Sequence, residues 1–103
     1  MAFGIGTNTR IPDAGMLRAK QEEIAVDCWF TSTGVMHLRR MKIRCEDEIL
    51  QIDNIRVIVE ECKRYAGVMV REFKCCAVVG DCERQFTIVF YPEQCQWKLL
   101  IPN

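Results

Sequence analysis

Residues 72–91 read EFKCCAVVGDCERQFTIVFY, and the reading of this stretch decides the fold. Two runs of alternating apolar and polar residues flank Gly80-Asp81, a pair suited to a two-residue hairpin turn. Such a turn pairs Val79 with Cys82, and the register of the whole hairpin follows, with Phe73 facing Ile88 and Cys75 facing Phe86. One side then collects Phe73, Cys75, Ala77, Phe86, Ile88 and Phe90, a surface fit for a core. The other collects Glu72, Lys74, Cys76, Glu83, Gln85 and Thr87.

The same period of two extends in both directions. Residues 24–30 alternate Ile24, Val26, Cys28 and Phe30 against Ala25, Asp27 and Trp29, until Thr31-Ser32-Thr33-Gly34 breaks the pattern. Residues 37–45 send Met41, Ile43 and Cys45 to one side and Arg40, Lys42 and Arg44 to the other. Glu46-Asp47-Glu48 turns the chain and sets Ile43 opposite Leu50 or Ile52. At Asp53-Asn54 the parity slips to Ile55, Val57 and Val59, the mark of a bulge or tight bend. Polar residues 60–64 read as a connection, followed by strands over 67–79, 82–91 and 96–101.

Short connections without crossover helices predict an all-β, mainly antiparallel fold of six to seven strands, either a small meander barrel or a strongly curved sheet. Trp97, Leu99 and Ile101 offer an apolar face that can close against the first strand, which favours the barrel. Residues 24–103 make a single domain. Residues 1–11 are small and polar, as in a mobile tail. Pro12 and Asp13 suit the start of a short helix through Glu23, with Met16, Leu17, Lys20 and Ile24 on adjoining sides, although Gly15 counts against it. Met16 is an alternative starting residue.

Composition excludes more than it specifies. At 103 residues, 14 basic and 14 acidic side chains cancel, so no overall field draws in nucleic acid or an anionic membrane. No apolar run approaches the roughly 18 residues of a membrane span, and residues 1–15 lack the pattern of a signal peptide. The expected location is cytoplasmic. Seven cysteines, an odd number without regular spacing, suit a reducing compartment. Cys75 and Cys76 leave opposite faces of a strand, and Cys82 lies more than about 10 Å from Cys75 along the ladder. With no Cys-x-x-Cys pair, the expectation is free thiols acting as small apolar residues, with no metal and no disulfide.

Nor does a catalytic motif emerge. A hairpin about Thr33-Gly34 puts the single histidine, His37, opposite Phe30 and about 7 Å from Cys28 on the diagonal, but without an oxyanion hole or orienting acid. The acidic pairs lie near turns. Gly4 and Gly6 follow no strand and precede no P-loop lysine, so no cofactor is implied. The sequence is read as non-enzymatic.

Two surfaces remain. Val70, Val78, Val89 and Tyr91 share the second face of the hairpin and give it more apolar surface than a solvated strand pair needs, which marks a protein-binding or homodimer surface. Arg40, Lys42 and Arg44 lie about 7 Å apart on one strand face, with Trp29 available for stacking, as nucleic-acid binding would require. Pairing with Gln51 and Asp53 explains that row without a ligand.

The segments CWFTSTG, YAGVMVREFKCCAV and FYPEQCQWKLL together resemble a group of short, uncharacterised bacterial all-β proteins, over most of residues 24–100. The resemblance implies an all-β fold and a bacterial source and brings no activity. The resulting expectation is a small interaction module that binds another protein or itself, with a nucleic-acid-associated accessory domain as the alternative.

Overall fold

A computed structural model describes residues 11–101. The mobile tail expected over residues 1–11 lies, but for Ile11, outside the described residues. Seven strands follow one another: β1 (Lys20–Phe30), β2 (Met36–Cys45), β3 (Glu48–Ile52), β4 (Arg56–Tyr65), β5 (Val68–Val79), β6 (Cys82–Tyr91) and β7 (Gln96–Ile101). They form one sheet in the order β3-β2-β1-β7-β6-β5-β4, every neighbouring pair antiparallel.

The β5–β6 hairpin has the register its turn dictates: Val79 opposes Cys82, Cys75 opposes Phe86 and Phe73 opposes Ile88. β7 pairs with β1 through Ile24 and Trp97, so the last strand does join the first. The barrel nevertheless stays open between β3 and β4. These strands are successive in the chain yet form opposite edges of the sheet, and Asp53-Asn54-Ile55 carries the chain from one edge to the other. Asn54 makes that bend at φ 53°, a left-handed conformation that its side chain tolerates. The Ile55 N–H donates to the Arg39 carbonyl at 3.2 Å, which extends the β2–β3 edge to the corner.

Curvature brings the apolar sides of the two flanks together. Met36, Leu38, Met41 and Ile52 from β2 and β3 meet Phe73, Cys75, Ile88 and Phe90 from β5 and β6 in one core. The parity change between Leu38 and Met41 comes from a bulge: Cys28 opposes Leu38 but Asp27 opposes Arg40, leaving Arg39 as the extra residue. Trp97 packs against Phe90 with ring centroids 4.6 Å apart.

Three expectations need correction. There is no N-terminal helix among the described residues. Gly15 adopts φ 80°, and Lys20 to Ile24 already pair with β7, so the ladder takes residues that a helix would have used. Residues 60–64 are not a connection but the second half of β4. Its turn is Ala66-Gly67, both in left-handed conformations that match the twist of a two-residue hairpin. The β1–β2 loop ends one residue earlier than expected: the Thr31 N–H donates to the Val35 carbonyl at 2.9 Å and the Thr31 hydroxyl accepts the Val35 N–H at 3.0 Å, so Phe30 opposes Met36 and His37 opposes Trp29.

The segment before β1 acts as a strap. Asp13 forms a parallel bridge with Arg64 on the outer edge of β4, whereas Lys20 opposes Ile101 of β7. Residues 14–19 must therefore pass over β5 and β6. Val70, Glu72 and Val89, on the convex side of those strands, are buried yet lie outside the main core, and the strap is the chain available to cover them.

Candidate functional site

Backbone polarity along β4 defines the site. Tyr65 and Val68 close a two-residue turn, so Tyr65, Lys63 and Glu61 direct their N–H and C=O groups toward β5. Arg64, Cys62 and Glu60 then direct theirs to the free edge. The Ala14 N–H uses the Arg64 carbonyl at 2.7 Å, in agreement with this alternation. From Cys62 back to Arg56 no other strand of the described residues pairs with the edge.

The side chains there are apolar first and charged afterwards. Val57, Ile58 and Val59 are all exposed, Ile58 by 55%. A register shift between Val57 and Val59 leaves Ile58 as a bulge. Glu60, Glu61, Cys62, Lys63 and Arg64 follow. Glu60 binds the Arg71 guanidinium, and Lys63 lies 3.1 Å from the buried carboxylate of Glu72. The other edge, β3, is half as long and exposes Ile49 and Leu50. Near the bulge a groove of about 620 Å³ runs between Ala19, Ile58, Lys74, Thr87 and Leu100.

The surface expected from Val70, Val78, Val89 and Tyr91 is not formed. Val70 and Val89 are buried within the chain, Tyr91 is half-buried with its hydroxyl donating to Gln21 Oε1 at 2.6 Å, and Val78 alone is well exposed. Strand parity suggested an open surface, but most of it is closed off within the chain.

Arg40, Lys42 and Arg44 do share one face, opposite Asp27, Ala25 and Gln51 or Ile49 in the neighbouring strands. Arg40 is held between Asp27 at 3.4 Å and Asp53 at 3.8 Å. Trp29 is exposed, but the Arg39 guanidinium lies 5.1 Å from its ring centroid. Cys28 and His37 are not brought together: Cys28 packs against the core and His37 is exposed beside Trp29. Burial pushes the Cys28 thiol up, the reverse of what a nucleophile needs.

Among the described residues no three His, Cys, Asp or Glu side chains converge as metal ligands, and no helix is long and apolar enough to cross a membrane. All seven cysteines are free. The β4 edge escaped the sequence reading because the run EECKR resembles a polar connection. The signal that would have found it is Ala66-Gly67, placed like Gly80-Asp81 between two alternating runs. Comparison with known proteins finds no matching family model, no matching curated protein and no matching solved structure.

Proposed function

We propose that this chain is a small, non-enzymatic, cytoplasmic interaction module that accepts a strand from another protein, or from a second copy of itself, at the open edge of β4. The observation that carries the reading is the backbone from Arg56 to Cys62, which no other strand of the described residues pairs, with Val57, Ile58 and Val59 exposed on it. An edge of that length and polarity is a template for β-strand addition, in which main-chain bonds supply affinity and flanking side chains supply selectivity. The groove beside Ile58 would take an apolar side chain of the incoming strand. The nucleic-acid alternative has weaker support, because Asp27 and Asp53 already compensate Arg40.

Affinity capture from source-cell extract tests the reading, with wild type compared against Ile58→Lys and Cys62→Pro. The first variant puts a charge on the apolar stretch, and the second removes an outward N–H without touching the β5 ladder. A protein retained by wild type and lost with both folded variants supports strand addition. Equal retention by all three rejects it, as does retention by none when the chain is also monomeric in solution.

A further inference from the structure

The order of charges on β4 names one occupant for its edge. Resting on the strand-addition reading above, we infer that the edge pairs with the same edge of a second copy, antiparallel, about a two-fold axis at Cys62. Backbone polarity restricts the possible registers. Only residues that point outward can oppose one another as hydrogen-bonded pairs, which here are Glu60, Cys62 and Arg64.

Centring the axis on Cys62 sets Cys62 against its copy, Glu60 against Arg64 and Glu61 against Lys63. Each pair of opposite charges is made twice by the symmetry. Moving the axis to Glu60 opposes Glu60 to itself and Arg56 to Arg64. Moving it to Glu61 opposes that carboxylate to itself. The run Glu60-Glu61-Cys62-Lys63-Arg64 is thus self-complementary about its cysteine, and opposite charges directly across a ladder stabilise the pairing whereas like charges oppose it.

Two features of the single chain agree with this register. Glu61 is exposed and forms no salt bridge among the described residues, so its carboxylate is available to the Lys63 of a copy. Arg64 has its buried Nε without a hydrogen-bond partner among the described residues, and a second Glu60 would arrive opposite that residue. The strap competes at one point, since Ala14 occupies the Arg64 carbonyl that the paired edge would use. Loosening the strap favours the dimer.

Sedimentation, hydrogen exchange and thiol cross-linking of the full chain test the inference, on wild type, Asp13→Ala and Glu61→Lys. Wild type or Asp13→Ala should form a dimer in which bismaleimidoethane links Cys62 to Cys62, because opposed Cα atoms in such a pair are about 5.5 Å apart. The amides of Glu60 and Cys62 should be protected in that dimer. Glu61→Lys should weaken association by roughly tenfold while keeping the wild-type melt. Cys62→Ser should abolish the cross-link, and Cys45→Ser, Cys82→Ser and Cys95→Ser should retain it.

A monomer at every concentration in both wild type and Asp13→Ala overturns the inference. So does a dimer linked through another cysteine, or one indifferent to Glu61→Lys. Protection of the Glu60 and Cys62 amides in a monomer would assign the edge to the chain's own first residues and likewise overturn it. The first three results leave the strand-addition reading to its own capture experiment, whereas protected amides in a monomer would close the edge and overturn that reading as well.

Discussion

The Gly67 N–H donates to Asp13 Oδ2 at 2.7 Å, tying the segment before β1 to a turn fifty-four residues later. The same carboxylate accepts the Ala66 N–H at 3.0 Å and the Gly15 N–H at 2.7 Å. One side chain therefore satisfies three backbone donors and anchors the strap that leads from the β4 edge to β1. It also decides which part of the β4 edge stays open, because the neighbouring Ala14 takes the Arg64 carbonyl.

Backbone donors favour the charged carboxylate, and the Gly15 N–H first, then that of Gly67, hold the Asp13 carboxyl below its ordinary 3.8. The contribution of a depressed carboxyl is present above the unfolded value and lost as pH falls through the folded one. Asp13→Asn should therefore melt earlier than wild type at neutral pH, and the difference should close below pH 3.8. Amide shifts of Ala66 and Gly67 should titrate with the carboxyl. A melting difference independent of pH would contradict the anchor.

Cys75 and Cys76 are both buried, but in different surroundings. Cys75 faces Phe86 in the core. Cys76, on the convex side, lies between Arg56 and Gln85, whose polar ends can meet a hydroxyl. Cys75→Ser should cost about 1–3 kcal/mol and Cys76→Ser measurably less, by denaturant unfolding. Equal losses would mean that the convex side is as dry as the core.

This pair also shows what the sequence could reveal. Alternation about Gly80-Asp81 gave the β5–β6 register residue by residue, because a two-residue turn leaves no freedom once both strands have an apolar side. The same parity suggested that Cys76, Val70 and Val89 were open, and all three are buried. Parity reports which side of a sheet a residue takes, not what the rest of the chain lays over that side. The strap was hidden because the carboxylate of Asp13 and the parallel bridge that anchor its start leave no periodicity in the sequence. The bulge at Arg39 was hidden for a related reason: an extra residue flips parity, and a run as polar as His37 to Arg40 does not show where the flip occurs.

Three turns carry side chains where glycine or asparagine is favoured, the β6–β7 turn with Cys95 at φ 56° and two others. Ala66 has φ 49° in the β4–β5 turn, and Glu46 has φ 56° in the β2–β3 turn. A residue with a Cβ pays roughly 1–2 kcal/mol in that conformation, and asparagine tolerates it better. Ala66→Asn and Glu46→Asn should each raise stability by about 0.5–1 kcal/mol, seen as a higher denaturant midpoint at unchanged slope. The Ala66 N–H to Asp13 is kept in the first variant. A lower midpoint in either would show that the turn is held in another conformation.

Glu72 is the buried charge of the fold, 5% exposed, with the Tyr65 hydroxyl donating to it at 2.5 Å and the Lys63 ammonium at 3.1 Å. Lys63→Ala leaves that carboxylate without a counter-charge and should cost about 2 kcal/mol, more than an exposed pair is worth. Tyr65→Phe should cost about 1 kcal/mol at neutral pH through the lost hydrogen bond. Burial first, and then the bond to Glu72, push the Tyr65 phenol from 10.0 up to about 12. Between those values the unfolded chain has released the phenolic proton that the folded chain still holds, so stability falls as pH rises. Burial pushes the Cys75 thiol from 9.0 up to about 12, which adds a loss of the same sign from about pH 9. Denaturant midpoints should therefore decline from about pH 9, less steeply in Cys75→Ala. The Tyr65→Phe deficit should shrink above pH 10.0, because ionisation next to Glu72 removes in wild type the advantage that the variant already lacks. A deficit constant across that range would separate the Tyr65 hydroxyl from Glu72 and leave the buried carboxylate to Lys63 alone.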